Sequence, residues 1–391
     1  MTAIGVIGCG MVSHAYLGTI ARAPELRLAA LAGRSMASAE AQAKRYGGCA
    51  MTVDALLADP EISVVVNLAP PAVHHALGRR VLAAGKHLYS EKPFAIRLED
   101  AHDLLALADA QGLRIGCAPD TFLGKGHQAA RRLLDSGAIG TVTAGAIAFG
   151  TRGMESWHPD PASFYAPGGG PLLDVGPYYI THLVNLLGPV VEVGAIGTRP
   201  HATRTASTPG REGEVFPVAV PTTVNGALLF ASGANIALAM SWDVVAHRRP
   251  AIELYGTSGT LQAPDPNQFG GATTIADADG HWTTIGDAAP ARTLDAGTLA
   301  RALQAIGQGL DPLTGAVITA ETTRRFGDLR GLGLRDLVAA IGEDREPRAS
   351  GRLASHVLEV LLALQSSAEG AGRIVIRSTV DRPSMLIGDL P

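Results

Sequence analysis

Lys92 and a glycine-rich turn near residue 8 are the two features of this chain whose residue types and positions could do chemistry together. Lys92 lies between Glu91 and Pro93, directly after a predicted strand, and lysine is rare in this chain, whose positive charge is mostly arginine. Gly8 and Gly10 follow another predicted strand. Such a turn accepts a pyrophosphate at the start of the following helix, and an ammonium beside a nicotinamide can relay a proton. The two segments together predict a dinucleotide site with a proton-transfer lysine beside it.

The glycine turn matches a dinucleotide-binding fingerprint at two of its three glycines. Gly8 permits the tight turn, Gly10 lets the backbone approach a pyrophosphate, and Ser13 stands where the third glycine packs helix against strand. Met11 and Val12 open the helix, and we expect them to contact the cofactor. An ordinary tight turn between a strand and a helix stays open as the alternative on this motif alone.

The end of the second predicted strand bears on the choice of cofactor. NAD enzymes usually place Asp or Glu there to bond the ribose hydroxyls, whereas this chain has Gly33, Arg34 and Ser35. No carboxylate repels a phosphate here, and a guanidinium and a hydroxyl can bind one, which favours NADP. NAD stays the alternative, since Gly33 could be a simple turn and Arg34 a surface charge.

Other strand ends supply further candidates for the cofactor cleft, because ligands of such sheets bind at the carboxyl ends of the strands. Leu68, Ala69 and Pro70 follow a buried strand, and the proline would stiffen a wall beside the nicotinamide or adenine ring, or simply start a helix. His74 in the next helix and Asp120 after the last strand of the sheet are the remaining candidates, with Glu91 and Pro93 beside Lys92.

In the second half of the chain, Asp174, Tyr178 and His182 follow one another at four-residue spacing. In a helix this spacing places a carboxylate, a phenol and an imidazole on one face. Pro177 removes a backbone hydrogen bond, so the helix either begins near Gly176 or is kinked there. The alternative is a buried helix whose polar groups bond to backbone.

Trp157 and His158 are additional candidates for substrate binding. They lie in a polar and aromatic run over residues 155–165, where they could stack on or bond a pyranose face. A purely structural loop is the alternative.

The distribution of apolar residues predicts an α/β fold with two domains. Over residues 1–120, strands alternate with amphipathic helices, and apolar runs such as Val64 to Val66 indicate a parallel sheet covered on both faces, a doubly wound dinucleotide-binding domain. Over residues 121–391, alternating apolar and polar residues predict an antiparallel sheet with one buried face. Residues 203–212 and 263–291 are predicted to be surface loops or a hairpin.

Composition excludes several classes of function. The net charge of −4 comes without any stripe of Lys and Arg, so no nucleic-acid partner is predicted. The chain begins close to a strand and has no apolar run of about eighteen residues, which predicts a cytoplasmic protein without a membrane partner. Cys9, Cys49 and Cys117 lack metal-ligand spacing and are predicted to be small buried hydrophobes, and no metal is expected.

Three segments in this order resemble one known family: the glycine turn, the Glu91-Lys92-Pro93 tripeptide, and residues 168–178 from the triple glycine to Tyr178. They are similar to the NAD(P)-dependent oxidoreductases of the glucose-fructose oxidoreductase, inositol dehydrogenase and rhizopine-catabolism family. The resemblance implies an N-terminal Rossmann domain and a C-terminal α/β domain with an open, mostly antiparallel sheet that often serves oligomerisation. A homodimer or homotetramer is therefore expected.

The resemblance also implies roles for individual residues. Lys92 would lie at the nicotinamide and the substrate hydroxyl, and Tyr178 occupies a position where many members carry an acid/base histidine. A tyrosine there is similar to the branch with glucose-fructose oxidoreductase and dihydrodiol dehydrogenase, which commonly uses NADP. The expected reaction is hydride transfer between nicotinamide and a secondary hydroxyl of a sugar, sugar derivative or cyclitol, with Asp174 orienting the substrate or Lys92.

Two other functions stay open at this point. Related folds include glycosidases or lyases that retain the cofactor and act through transient oxidation of the sugar. A non-catalytic sensor of NAD(P) and sugar is the third possibility, although Lys92 and Tyr178 argue against it.

Overall fold

The computed structural model describes residues 1–286 and 330–386, and these fall into two compact units. The first unit contains residues 1–123, 330–358 and 386, and the second contains residues 124–286 and 359–385. The predicted single division after residue 120 differs from this, because residues 330–358 belong to the first unit. The amide of Cys117 donates to the carbonyl oxygen of Ala349 at 2.8 Å, which joins this late segment to the edge of the sheet. Residues 287–291 of the predicted loop region lie outside the described residues.

The first unit is built on a six-stranded parallel sheet in the order β3-β2-β1-β4-β5-β6. Its elements include every strand predicted for this region, with shifts of one or two residues at some ends. The elements are β1 (Thr2–Ile7), α1 (Ser13–Arg22), β2 (Leu26–Ala32), α2 (Met36–Tyr46), β3 (Cys49–Ala50), α3 (Val53–Ala58), β4 (Val64–Asn67), α4 (His74–Ala83), β5 (His87–Ser90), α5 (Leu98–Ala110) and β6 (Ile115–Cys117).

Helices cover the parallel sheet of the first unit, as the apolar strands require. Val64, Val65 and Val66 are completely buried. A later helix, Leu332–Gly342, contributes Leu334 and Leu337 to the same apolar core. The predicted doubly wound domain is thus confirmed.

β3 and α3 are absent from the prediction because both are short. β3 pairs through only two residues at the edge of the sheet, and α3 has six residues. The position of β3 at the edge also explains one wrong expectation: Cys49 is exposed, whereas Cys9 is half-buried and Cys117 buried.

The second unit contains a nine-stranded mixed sheet in the order β16-β15-β14-β13-β7-β12-β11-β8-β17 and a separate hairpin of β9 and β10. Its elements, together with the two closing helices of the chain, follow in order. They are α6 (Lys125–Asp135), β7 (Val142–Gly150), α7 (Ala162–Tyr165), α8 (Pro171–Asp174), α9 (Gly176–Leu187), β8 (Val190–Thr198), β9 (Thr203–Thr205), β10 (Val215–Pro217), β11 (Thr223–Phe230), β12 (Asn235–Ser241), β13 (Ile252–Gly256), β14 (Gly259–Ala263), β15 (Thr273–Ala276), β16 (Trp282–Ile285), α10 (Leu332–Gly342), α11 (Gly351–Ser366) and β17 (Ile374–Val375).

The large sheet is mostly antiparallel, as predicted, with one parallel pair between β7 and β12 among the described strands. Alternate residues of β12 are buried, which agrees with a sheet that has one covered face: Ile236, Leu238 and Met240 point into the core while Asn235 and Ala237 are exposed. Within residues 1–286 and 330–386, no helix combines the length and the apolar composition needed to cross a bilayer.

Candidate active site

The glycine turn after β1 has the geometry of a pyrophosphate site. Gly8 has φ of +114°, and a Cβ atom there would lie 2.6 Å from the carbonyl carbon and oxygen of Leu68. Only glycine tolerates both the conformation and this close approach of the β4 loop. A Cβ atom on Gly10 would meet no atom within 4 Å. Gly8 is therefore required by the fold, whereas Gly10 keeps open a space that a phosphate can enter.

The start of α1 is prepared for an anion. Its first turn has no acidic residue and no capping side chain, so its amides and the helix dipole can act on a phosphate. Ser13, in the third glycine position, is buried, and its hydroxyl donates to the carbonyl oxygen of Gly10 at 2.6 Å. Met11 and Val12 are half-buried between the turn and the helix. These residues fit the phosphates of a dinucleotide.

The turn after β2 exposes Arg34 and Ser35 at the start of α2. The Ser35 hydroxyl oxygen accepts the amide of Ser38 at 3.3 Å, so it caps the helix while its own proton is not used in that bond. A Cβ atom on Gly33 would lie 2.4 Å from the Ser38 hydroxyl oxygen. Arg34 forms no ion pair with any residue in the described part of the chain. A guanidinium and a hydroxyl thus lie side by side, a set of groups that suits a phosphate.

The turn that carries Lys92 is held by the side chain of Glu91. One carboxylate oxygen of Glu91 accepts the hydroxyl of Tyr16 at 2.8 Å, and the other accepts the backbone amide of Lys92 at 2.9 Å. The amide of Glu91 donates to the carbonyl oxygen of Asn67 at 2.9 Å. The peptide bond between Lys92 and Pro93 is cis. Lys92 is half-buried at the carboxyl end of β5.

His74 lies beneath two candidate cofactor loops and is almost completely buried. Its Nδ1 is 2.7 Å from the carbonyl oxygen of Pro93, and its Nε2 is 2.7 Å from that of Ala69. It therefore joins the loop after β4 to the turn of Lys92. Leu68 is buried in this loop, Ala69 is half-buried and Pro70 is exposed.

The sequence predicts Asp120 in the cofactor cleft, and in the structure its carboxylate bonds to backbone amides at the start of a helix. The carboxylate is buried, and its Oδ2 accepts the amides of Gly331 and Gly333 at 2.9 and 2.8 Å. These amides lie at the start of α10, so the carboxylate holds the N-terminus of that helix. Burial raises the pKa of Asp120 to about 6, although the two amides oppose the shift. Its contact with a cofactor stays a prediction.

In the second unit, the predicted helix over Asp174, Tyr178 and His182 is divided. Asp174 ends α8, whereas Tyr178 and His182 lie one turn apart in α9, which begins at Gly176. This agrees with the expectation that Pro177 stands in the first turn, where its missing amide costs nothing. Val175 separates the two helices, and a single face shared by all three side chains stays a prediction.

His182 forms a buried pair with His127 of α6. Burial lowers the pKa of His127 to about 4 and that of His182 well below its ordinary value, so both rings are neutral. The Nε2 of His127 can only donate to the carbonyl oxygen of Gln268, at 2.7 Å, and the Nδ1 of this neutral ring therefore accepts from the Nε2 of His182 at 3.3 Å. The Nδ1 of His182 has no hydrogen-bond partner in the described part of the chain. The side chain of His182 is completely buried. A substrate contact for His182 stays a prediction.

Trp157 and His158 belong to an aromatic cluster. The ring of His158 packs edge-on against those of Trp157 and Phe164, with centroids 5.4 and 4.4 Å apart. Its Nδ1 accepts the amide of Asp160 at 3.0 Å, and burial lowers its pKa. Nearby, Arg204 pairs with the Glu155 carboxylate. The contacts of both candidate residues order the loop, and their role in binding a sugar stays a prediction.

Sequence patterns did not point to Tyr16 or His127. Tyr16 sits among apolar residues on the buried face of α1, so its pattern indicated core packing alone. His127 meets His182 across fifty-five residues of chain, a separation that no local pattern reveals.

Comparison with known proteins agrees with this geometry. Residues 2–118 match the model of the oxidoreductase family with an NAD-binding Rossmann fold, and residues 127–262 match that of the GFO/IDH/MocA C-terminal domain. The chain is 35% identical over 200 residues to a dTDP-3,4-didehydro-2,6-dideoxy-alpha-D-glucose 3-reductase of Streptomyces violaceoruber, covering 49% of this chain and 57% of the relative. It is 30% identical over 264 residues to the reductase of that name from Saccharopolyspora spinosa, covering 66% of this chain and 73% of the relative.

A solved structure extends the likeness to nearly the whole chain. The NAD-binding oxidoreductase from Klebsiella pneumoniae superposes with a TM-score of 0.74 at 23% identity, covering 96% of this chain and 99% of the other, which shows a shared fold. The matched models, the two reductases and the paired parallel and mixed sheets give the same assignment. The chain belongs to the GFO/IDH/MocA family of oxidoreductases, with an NAD-binding Rossmann domain.

Proposed function

We propose that this protein transfers hydride between a nicotinamide and a secondary hydroxyl of a sugar, sugar derivative or cyclitol. The observation that carries the proposal is the position of Lys92 in the first unit. β1 and β5 flank β4, so the glycine turn and the Lys92 turn leave the same edge of the sheet about 10 Å apart. A dinucleotide whose pyrophosphate lies on α1 can extend across this distance along the strand ends toward Lys92.

The nicotinamide supplies the hydride acceptor or donor, and the chain supplies the proton chemistry. Tyr178 takes the proton of the substrate hydroxyl during oxidation and returns it during reduction. Lys92 donates a hydrogen bond to the same oxygen and stabilises the negative charge that develops on it. Asp174 orients the substrate or the ammonium. Trp157 and His158 offer apolar and polar contacts for a sugar ring.

We propose NADP as the preferred cofactor, with NAD as the competitor. The exposed Arg34 and Ser35 suit the 2′-phosphate, and no carboxylate lies at the end of β2 to bond free ribose hydroxyls. Fluorescence titration with NADPH and NADH tests the preference. Arg34→Ala is expected to weaken NADPH roughly tenfold and leave NADH unchanged, as one lost charge-assisted contact predicts. Tighter binding of NADH by the wild type contradicts it.

We propose that the large sheet of the second unit forms a homodimer or homotetramer. Its outer face carries Ala227 and Ala237, paired across β11 and β12, with the exposed side chains of Leu229 on β11 and Ile196 on β8 on neighbouring positions. Small, apolar and uncharged groups are unusual on a solvent-facing sheet. Light scattering on the eluted protein at micromolar concentration is expected to give two or four chains, and a monomer mass excludes both.

The reaction is tested with purified protein and a panel of sugars, cyclitols and nucleotide-linked ketosugars. The names of the two reductase relatives justify the last class, whose reduction consumes the reduced cofactor. Lys92→Met and Tyr178→Phe are each expected to lower turnover roughly a hundredfold or more while NADPH binding survives. Near-normal turnover in both variants refutes the assignment. The reported relatives bear reductase and oxidoreductase names, so glycosidase and sensor functions are not favoured.

A further inference from the structure

A buried phenol connects the two parts of the candidate cofactor site in the first unit. Tyr16 lies on α1, close to the glycine turn, and its hydroxyl donates to one carboxylate oxygen of Glu91 at 2.8 Å. The second carboxylate oxygen accepts the amide of Lys92 at 2.9 Å. Two hydrogen bonds through a single carboxylate thus link the helix that follows the pyrophosphate turn to the backbone of Lys92.

Both ends of this link are firmly attached. On the helix side, the amide and the hydroxyl of Ser13 bond to the carbonyl oxygen of Gly10 at 3.1 and 2.6 Å, so the first turn of α1 moves with the glycine turn. On the strand side, the amide of Glu91 bonds to the carbonyl oxygen of Asn67. A shift of the glycine turn must therefore act on the Glu91 carboxylate, and through it on the amide of Lys92.

The link has the chemistry of a strong hydrogen bond. Tyr16 is completely buried, and burial together with the Glu91 charge raises the pKa of its phenol well above the ordinary value. The phenol therefore stays a donor at every working pH. Its acceptor is a carboxylate, and hydrogen bonds to charged acceptors are about twice as strong as neutral ones.

We propose that Tyr16 is a positioning residue for Lys92, which through Glu91 couples occupation of the glycine turn by a dinucleotide to the position of the Lys92 ammonium. The proposal rests on the proposed function for the claim that Lys92 acts on substrate. The coupling itself is a property of the first unit and can be measured without turnover.

The chain offers a matched control in Tyr89. Its ring packs edge-on against that of Tyr16, with centroids 5.9 Å apart, and both side chains are completely buried. Within the described residues, the Tyr89 hydroxyl makes no hydrogen bond to Glu91, whereas that of Tyr16 does. Tyr16→Phe and Tyr89→Phe thus remove the same atom from two neighbouring buried rings, and only Tyr16→Phe removes the bond to Glu91.

The coupling is measured by acylating the lysines with an amine-reactive reagent and quantifying Lys92 by peptide mass spectrometry, with exposed Lys44 as internal reference. ADP-ribose and its 2′-phosphate are the probes, because they carry the pyrophosphate but no nicotinamide ring to touch Lys92. In the wild type and in Tyr89→Phe, the probe is expected to change the Lys92 labelling rate several-fold. In Tyr16→Phe the rate is expected to be the same with and without the probe, although the probe still binds.

Kinetics supply the second measurement. Tyr16→Phe is expected to lower kcat about tenfold with less than a twofold change in the KM for the cofactor, as loss of one charge-assisted bond predicts, while Tyr89→Phe keeps the wild-type kcat. If Tyr16→Phe does not fold, Glu91→Gln replaces it, since the phenol and the Lys92 amide bond to different oxygens of Glu91 and glutamine keeps only one of the two as an acceptor. A probe effect on Lys92 that survives in these variants overturns the proposal. Normal turnover of Lys92→Met would instead contradict the proposed function and would leave the proposed coupling between the glycine turn and Lys92 unaffected.

Discussion

The two units contain buried histidines near their candidate site residues, and these histidines make different contacts. In the first unit, both ring nitrogens of His74 lie 2.7 Å from carbonyl oxygens, those of Pro93 and Ala69. In the second unit, His127 and His182 share one hydrogen bond and are neutral. A histidine thus bridges two loops of the backbone in the first unit, whereas two neutral rings pair with each other in the second.

His74→Ala tests how much the contacts of His74 contribute to the stability of the first unit. The change removes both contacts of the ring with carbonyl oxygens and opens a cavity, which is expected to lower the free energy of unfolding by about 4 kcal/mol. Urea unfolding of the purified protein measures it. His75→Ala is the matched control, because His75 is partly exposed and pairs with Asp103 near the surface. Its expected cost is below about 1 kcal/mol. An equal cost for both variants would show that the contacts of His74 do not hold the two loops together.

The neutral state of the histidine pair in the second unit is tested by measuring stability as the pH is lowered. The pKa of His127 is about 4 in the folded chain because of burial, below the ordinary 6.5. Its contribution to stability is therefore present above pH 6.5 and is lost as the pH falls towards 4, by about 3 kcal/mol, since the unfolded chain takes up the proton first. His127→Gln keeps an amide donor for the Gln268 carbonyl and removes this titration. Urea midpoints of the two proteins should converge towards pH 4, and parallel curves between pH 7 and 4 would contradict the neutral pair.

The stability that Asp120 contributes depends on pH in the direction opposite to that of His127. Burial raises its pKa from 3.8 to about 6, so the stability it contributes is present below pH 3.8 and is lost as the pH rises through 6. The expected loss is about 2 to 3 kcal/mol. Asp120→Asn retains one oxygen for the amides of Gly331 and Gly333, which both bond to Oδ2. Relative to this variant, the wild type should weaken between pH 4 and 6.5, as followed by thermal unfolding. A constant difference would rule out the raised pKa.

The parts of the fold that the sequence predicted are those with a regular local pattern. The alternation of strands and helices over residues 1–120 was predicted, because apolar runs such as Val64 to Val66 form a regular pattern and are buried in the sheet. β3 and α3 were not predicted, since two and six residues carry too little periodicity. The parallel pairing of β7 with β12 depends on how strands ninety residues apart meet. No local pattern contains that information.

The candidate site divides in the same way. Gly8, Gly10 and Lys92 follow strands and could be placed from the order of the elements alone. The contacts that hold them could not be predicted: Tyr16 and Glu91 are seventy-five residues apart, and a tyrosine among apolar residues looks like core. Asp120 could likewise be placed at a strand end from the sequence. Its bonds to the amides at the start of α10, more than two hundred residues later in the chain, could not be predicted.

We propose that Lys92 and Tyr178 assist one proton transfer, and a double-mutant cycle on turnover is the most direct measurement of this proposal. Each single change, Lys92→Met or Tyr178→Phe, is expected to cost roughly a hundredfold. If both groups serve one proton transfer, the double variant loses little more than the worse single variant, because the second group has nothing left to assist. A loss in the double variant of roughly ten-thousandfold, the product of the two single effects, would show that the two residues act independently and would contradict the account.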